Sequence, residues 1–425
     1  MLVEFRVENF RSFKDEQFLS MVASGSDKTL PGNCTETCKL KLLHGAALYG
    51  PNASGKSNLI TALDVMQSLV LGSTSSKPGG FMPFYPFLFD ATSRHKPSSF
   101  EVTFIHKGER YQYGFSATRR EIAEEWLYAF PKGRAQKWFR RVSHESAREP
   151  LMTWGPTLRG DRTSLWQKTR PDALFLSVAA QWNHEQLTPV YEWFQLFLRV
   201  LQAFSTPDVT ERALHSASNE QPKKDRLHRY VHSFLQDADL GVSGLDISEV
   251  PVDELKFPGE VSAEQRKRIL EQIGHPILQT FMLHQVAGTG NTFKLPLQEE
   301  SDGTRRMFDL AIPWLESLIN GYTVVVDEIE SSLHPMLVRE LIRPYFEPEL
   351  NKSGAQLVFA THDTRLLDPG LLRRDQVWFT EKDERAATRL YPLSDYKPRK
   401  GEALQKGYLS GRYGAVPILR AFHIE

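Results

Sequence analysis

Apolar and polar residues alternate over Phe100-Glu101-Val102-Thr103-Phe104-Ile105 and again over Arg110-Tyr111-Gln112-Tyr113-Gly114-Phe115. A period of two belongs to a half-buried strand, and Lys107-Gly108 supplies the turn, so the pattern predicts a β-hairpin. Glu125–Phe130 with Lys137–Arg141 predicts a second one. Ala46–Tyr49, Tyr322–Val326 and Gln356–Ala360 are short, continuous apolar runs, the signature of strands covered on both faces of a parallel sheet. Elsewhere the period becomes helical: Leu59, Ile60, Leu63, Met66 and Val70 make one stripe, and Met307, Leu310, Ala311, Trp314, Leu315 and Leu318 another. Between them, Val190–Phe204 reads as a strongly apolar helix, Ala263–Ile273 as a charged one, and Ser205–Lys224, rich in Ser, Pro and charge, as a loop. The pattern predicts an α/β protein with a mixed sheet core, an antiparallel β-subdomain and an inserted helical domain. The expected boundaries are 1–165, 166–285 for the insertion, and 286–425.

The candidate chemistry lies where those strands end. Gly50-Pro51-Asn52-Ala53-Ser54-Gly55-Lys56-Ser57 follows the first buried strand and opens a helix. It matches G-x-x-x-x-G-K-[ST], a loop whose backbone N–H groups and helix N-terminus wrap phosphates, whose lysine reaches the terminal ones, and whose hydroxyl ligates Mg²⁺. Val324-Val325-Val326 runs into Asp327-Glu328; there Asp327 can hold the metal and Glu328 can direct a water at a γ-phosphate. Alone, that pair is also an ordinary turn after a strand. A further strand ends in Thr361-His362-Asp363, where the histidine can donate to the γ-phosphate, and strand ends are where open α/β sheets bind ligands. Ser301-Asp302-Gly303 begins the second striped helix, giving either a second anion-binding end or a plain N-cap. Two such ends and one metal site suggest a dimer in which each copy closes on the nucleotide of the other.

In this order, with Ser331-Ser332-Leu333-His334-Pro335 between the acids and the histidine, the motifs resemble the ABC-type P-loop ATPase heads of the SMC, RecF and OLD group. Phe5-Arg6-Val7-Glu8-Asn9-Phe10-Arg11-Ser12-Phe13 resembles that group's opening strand and N-F-R-S turn. Glu300–Arg306, Trp378–Lys382 and Tyr408–Pro417 are similar to the compact RloA-like ATPases of bacterial phage-defence loci. The resemblance implies binding of ATP and Mg²⁺, with Gly50, Asn52, Gly55, Lys56, Ser57 and Asn58 around the nucleotide and Ser57 and Asp327 on the metal. It further implies Glu328 as catalytic base, His362 as γ-phosphate sensor, Ser301 and Gly303 as contacts made in trans, and Ser332–Pro335 as a turn at the dimer interface. The pattern departs at one place: Phe81–Asp90, where such heads carry a metal-contacting glutamine, has none.

Composition narrows the class. The 425 residues hold 52 basic and 52 acidic side chains, so no global field drives nucleic-acid binding. Arg119-Arg120 and Arg134, Lys137, Arg140 and Arg141, interleaved with Trp138 and Phe139, leave contact with DNA or RNA backbones open, against a solvated hairpin face. Lys397–Lys400 with Tyr408–Pro417 reads equally as a partner-docking surface or a turn packed on the sheet. Cys34 and Cys38 alone make neither a disulfide framework nor a zinc site. No run approaches about twenty apolar residues, and the first residues resemble a strand, so a cytoplasmic protein without a membrane span is expected. The stretch after His362 is too short for an appended TOPRIM nuclease, and the chain lacks the long heptads of coiled-coil arms. The expected activity is therefore Mg²⁺-dependent ATP hydrolysis in a homodimer or larger homo-oligomer that controls a separate effector protein; the alternative is a RecF-like, ATP-dependent DNA-binding protein of repair.

Overall fold

The computed structural model describes residues 1–143, 151–202, 209–217, 221–250, 277–399 and 401–418. Two compact units divide the chain: Met1–Phe204, Glu316–Glu330 and His334–Glu425 make the first, Ser205–Leu315 and Ser331–Leu333 the second.

The first unit is built on two sheets. Its six-stranded sheet runs in the order Leu198–Leu201, Thr323–Val326, Gln356–Ala360, Gly45–Tyr49, Val377–Lys382, Thr388–Pro392. The first five strands are parallel and the last is antiparallel to its neighbour. Every residue of Gly45–Tyr49, Thr323–Val326 and Gln356–Ala360 is buried, as expected of strands covered on both faces. The second sheet is antiparallel and seven-stranded: Leu151–Trp154, Gln136–Val142, Ile122–Ala129, Glu109–Ala117, Ser98–His106, Leu2–Glu8, Gln17–Ser20. Both predicted hairpins are in it, in register Phe100 opposite Phe115 and Leu127 opposite Phe139. Helix Lys56–Gly72 buries Leu59, Ile60, Leu63, Met66 and Val70 in a core shared with Phe5, Phe100 and Phe115 of the antiparallel sheet and Leu48, Val325 and Val358 of the parallel one. The mixed core with an antiparallel subdomain that the pattern predicts is therefore present.

The second unit carries helices Val209–Ser216 and Gln221–Asp237 and an antiparallel sheet of Gly244–Val250, Ile277–Gln285 and Thr292–Pro296. Helix Asp302–Asn320 begins in it.

Several expectations change. Val190–Phe204 is not one helix: helical residues Thr188–Glu192 pass through a π turn, Trp193–Phe197, into strand Leu198–Leu201, which pairs in parallel with Thr323–Val326. A run apolar on all sides has no period to separate a buried helix from a buried strand, and long-range pairing decides. The described part of Ser205–Lys224 is helical, with Thr210 and Leu214 buried on one face. Stretch 166–285 is consequently mixed: short helices lead into strand Leu198–Leu201, strands Gly244–Val250 and Ile277–Gln285 follow two further helices, and Ala263–Ile273 lies outside the described residues. In the basic hairpin Arg134 and Lys137 are exposed and Arg140 pairs with Glu124 at 2.5 Å, while Trp138 and Phe139 are buried and Arg141 is 1% exposed beside Glu125, so part of the charge faces solvent and part is packed. The final segment packs on the sheet, with Tyr408 and Tyr413 stacked at 5.4 and 6.0 Å on Phe379. Among the described residues no helix is long and apolar enough to cross a membrane.

Candidate active site

The loop after Gly45–Tyr49 leaves no room for side chains at two points. A Cβ on Gly50 would stand 2.3 Å from the Thr380 carbonyl oxygen, and one on Gly55, at φ +116°, 2.4 Å from Thr388 Oγ1. Only glycine allows so close an approach. Both threonines come from the antiparallel pair at the sheet edge, Val377–Lys382 and Thr388–Pro392. Ser54 Oγ lies 2.6 Å from Thr380 Oγ1, which donates to the Tyr49 carbonyl at 3.3 Å. Thr388 Oγ1 is 2.8 Å from both the Ser54 carbonyl and Ser12 Oγ, and Ser12 Oγ accepts from Asn58 Nδ2 at 2.7 Å. A hydroxyl has one proton and a carbonyl none, so the chain runs from the Asn58 amide to Ser12, to Thr388, to the Ser54 carbonyl. The N-F-R-S turn and the edge hairpin thus clamp the loop from behind. Asn58 is engaged in this clamp and also accepts from Arg11 at 3.4 Å, whereas Asn52 and Ser57 are exposed.

Lys56 is buried, with its ammonium donating to the Gly50 and Pro51 carbonyls at 2.8 and 3.3 Å. Burial lowers its pKa, while Asp327, then Glu330, then Glu328 act to raise it. These acids follow Thr323–Val326, next but one to the loop strand. Asp327 is buried and donates its N–H to the Leu201 carbonyl at 3.0 Å. Glu328 has φ +48°, a left-handed conformation that a branched or long side chain adopts only under constraint. That turn returns Ile329 to the core, where its N–H reaches the Ala360 carbonyl at 3.1 Å. It also sets Glu330 beside the end of Gln356–Ala360, where Glu330 Oε1 accepts the His362 N–H at 2.5 Å. His362 is exposed; partial desolvation, then the Lys56 charge, lowers its pKa and favours the neutral imidazole. Asp363 behind it is held by Arg365, through the backbone N–H at 3.0 Å and Nε at 2.8 Å, and its carbonyl accepts from Tyr49 Oη at 3.1 Å.

The first unit therefore contains the phosphate loop, Asp327, Glu328 and His362, on three adjacent parallel strands. Ser301 and Gly303 belong to the second unit. There Ser301 Oγ accepts the Thr304 N–H at 3.1 Å, an N-cap, and Asp302 pairs with Arg305. Gly303 leaves space for the Ser332 carbonyl, 2.9 Å from where its Cβ would stand.

The residues fit a nucleoside triphosphate with a divalent cation. The glycine-lined cradle is held open by packing, the buried lysine donates to two neutral carbonyls among the described residues, and hard oxygen donors, Ser57 Oγ and the Asp327 carboxylate, suit Mg²⁺. Sequence reading missed Glu330, Thr380, Thr388 and Ser12. The signal for Glu330 was available: Glu328-Ile329-Glu330 alternates about a buried isoleucine. The clamp left no local signal, because its members come from three distant segments.

A family model described as "AAA domain, putative AbiEii toxin, Type IV TA system" matches residues 46–368. No curated protein matches the chain. Among solved structures the chain is similar to the "SMC head domain from Thermotoga maritima", at 13% identity and TM-score 0.39, over 92% of this chain and 98% of that one. It is similar also to the SmcHead bound to the C-winged helix domain of ScpA, at 11% identity and TM-score 0.42, over 93% and 99%. A third is the Smc head domain with an extended coiled coil bound to the C-terminal domain of ScpA derived from Pyrococcus furiosus, at 12% identity and TM-score 0.38, over 93% and 97%.

Proposed function

The chain belongs to the AAA-domain family matched over residues 46–368, and from that premise we propose that it is the ATP-hydrolysing subunit of a cytoplasmic bacterial anti-phage defence complex. In this reading it forms a nucleotide-sandwich dimer that controls a separate effector, of nuclease type. The observation that carries the proposal is the convergence of buried Lys56 with Asp327, Glu328 and His362 at the carboxyl ends of neighbouring parallel strands. The toxin–antitoxin link in the family's description supports the defence role, as do the segments similar to RloA-like ATPases.

Lys56 and the N–H groups of the loop neutralise the β- and γ-phosphates, at an end of helix Lys56–Gly72 where the dipole adds to the attraction. Ser57 and Asp327 would hold Mg²⁺, which when bound supplies charge neutralisation across the same phosphates. Glu328 orients a water and takes its proton. His362, with its pKa lowered, donates a hydrogen bond from a neutral ring to the γ-phosphate. Ser301 and Gly303 of a second copy complete the shell, so nucleotide state sets quaternary structure.

Phosphate release measured beside particle mass by light scattering tests this, for wild type and Glu328→Gln, with and without ATP and Mg²⁺. Expected are turnover in the wild type, its loss in the variant, and an ATP-held dimer that persists in the variant. No phosphate and no mass response in either protein would refute the mechanism for the isolated chain. Affinity for duplex DNA that appears only with ATP would move the reading to the RecF-like alternative.

A further inference from the structure

Glu330 has no part in the mechanism above, yet its side chain is tied to the strand end that presents His362. Its Oε1 accepts the His362 N–H at 2.5 Å, while Oε2 is buried and makes no hydrogen bond among the described residues. The residues on either side of His362 have their own anchors. Thr361 donates its N–H to the Leu48 carbonyl at 3.1 Å, and Asp363 donates its N–H to Thr361 Oγ1 at 3.0 Å and is gripped by Arg365 and Tyr49. The amide of His362 itself is held by Glu330.

The contact depends on the acid turn. Glu328 at φ +48° turns the chain so that Ile329 pairs with Ala360 and Glu330 stands opposite His362. One short segment, Asp327 to Glu330, thereby fixes two things at once: it presents Glu328, and it clips the neighbouring strand end from which the His362 ring projects. Its carboxylate also lies close enough to Lys56 and the His362 ring to act on both charges.

We propose that Glu330 is a positioning residue: its carboxylate clips the His362 backbone amide and so holds the imidazole in register with Glu328 and Lys56. The role is one of reach, not charge. A side-chain oxygen at the same distance from the backbone serves as well as a carboxylate, whereas a shorter carboxylate does not. Buried Oε2 accepts no hydrogen bond among the described residues, so replacing it with the NH₂ of a glutamine breaks no contact, while the remaining side-chain oxygen can still accept from the His362 amide. Losing the clip frees the His362 amide to water and lets the ring drift. A displacement of about 1 Å at a group that touches the transition state costs on the order of a hundredfold in rate.

This rests on the ATPase reading, so the test carries one readout that does not. Steady-state ATP hydrolysis is measured for Glu330→Ala, Glu330→Asp and Glu330→Gln beside wild type, together with amide hydrogen exchange of the peptide that contains His362. Expected are kcat values for the Ala and Asp variants lower by about ten- to a hundredfold with KM for ATP within about threefold, and a Gln variant within about threefold of wild type in both. The His362 amide should exchange at least tenfold faster in the Ala and Asp variants and remain protected in the Gln variant. A Gln variant as slow as Ala, with Asp active, would show that the charge acts on the reacting atoms and overturn the proposal. So would a Glu330→Ala enzyme with unchanged kcat, or one changed only in KM. Where the wild type itself releases no phosphate, the ATPase reading fails, and exchange alone decides: equal protection in all four proteins overturns the clip. Should Glu330→Ala not fold, the Asp and Gln pair carries the same contrast.

Discussion

Thr388→Val removes a single hydroxyl from the clamp behind the phosphate loop and tests whether the edge hairpin shapes that loop. The native hydroxyl donates to the Ser54 carbonyl and accepts from Ser12, both at 2.8 Å, in a buried position. Valine keeps the branched shape but strands two buried polar groups, the Ser54 oxygen and the Ser12 hydroxyl. At about 1–3 kcal/mol for each of the two buried groups left unsatisfied, the loss is about 2–6 kcal/mol. Part of it appears as lower stability and part as a loop that no longer rests in its phosphate-binding shape. We therefore expect the Kd of a fluorescent ATP analogue to rise at least about tenfold, equivalent to about 1.4 kcal/mol, with a lower urea midpoint. Thr388→Ser keeps both bonds and should bind within about threefold of wild type. The measurement is equilibrium titration of all three proteins, with urea unfolding followed by circular dichroism. A valine variant that binds and unfolds as wild type does would refute the clamp, because no other outcome is open to a buried hydroxyl that matters.

Gly50→Ala would put a Cβ 2.3 Å from the Thr380 carbonyl oxygen, and backbone cannot step aside as a flexible side chain can; ATP binding should fall by more than about a hundredfold in titration while the circular dichroism spectrum stays native. Arg141, 1% exposed, faces Glu125 and donates to the Ala173, Arg170 and Pro171 carbonyls, so Arg141→Met leaves the buried carboxylate without its cation, held by Tyr113 Oη and the Phe175 and Leu176 N–H groups, and should cost about 3–5 kcal/mol in denaturant unfolding. Glu125→Gln in the same chain should recover part of that loss, since it removes the stranded charge. Asp309 in the second unit has its carboxyl pKa pushed up to about 7 by burial, so the folded chain keeps a proton that the unfolded chain releases near 3.8. Its contribution to stability is full below about pH 4 and is lost as pH rises toward 7, and thermal unfolding across that range should lose part of its pH dependence in Asp309→Asn.

The parts of the site that were legible in the sequence are those in which one segment carries both the fold and the chemistry. Gly50–Ser57 encodes its own loop, and the runs before Asp327 and Thr361 are apolar because the parallel strands there are covered on both faces. What stayed hidden needed a partner from far away. Leu198–Leu201 becomes a strand only because Thr323–Val326 lies beside it, and the clamp closes only when Ser12, Ser54 and Thr388 meet. Ser301 was ambiguous for a different reason. Its hydroxyl at a helix start caps the Thr304 N–H here, and the exposed helix end that such a cap leaves is also the surface a phosphate would approach, so one residue type serves either use.

Glu330 falls between these cases and shows what a sequence string can hold. Asp327-Glu328-Ile329-Glu330 reads as three acids around an isoleucine, and acids at a strand end invite assignment of each to the reaction. The left-handed turn at Glu328 divides them instead. It lets buried Ile329 donate its N–H to the Ala360 carbonyl, which brings Glu330 to the neighbouring strand end. In the proposed mechanism Glu328 serves the nucleotide, while Glu330 Oε1 accepts from the backbone of the next strand end. A substitution that removes the turn's strain, such as Glu328→Gly, should therefore differ from Glu328→Gln. Both lose the base and both should lose turnover, but glycine also frees the turn, so amide exchange at His362 should rise in Glu328→Gly and stay at the wild-type level in Glu328→Gln. Equal protection in the two variants would mean that the Glu330 contact holds the two strand ends together without help from the turn.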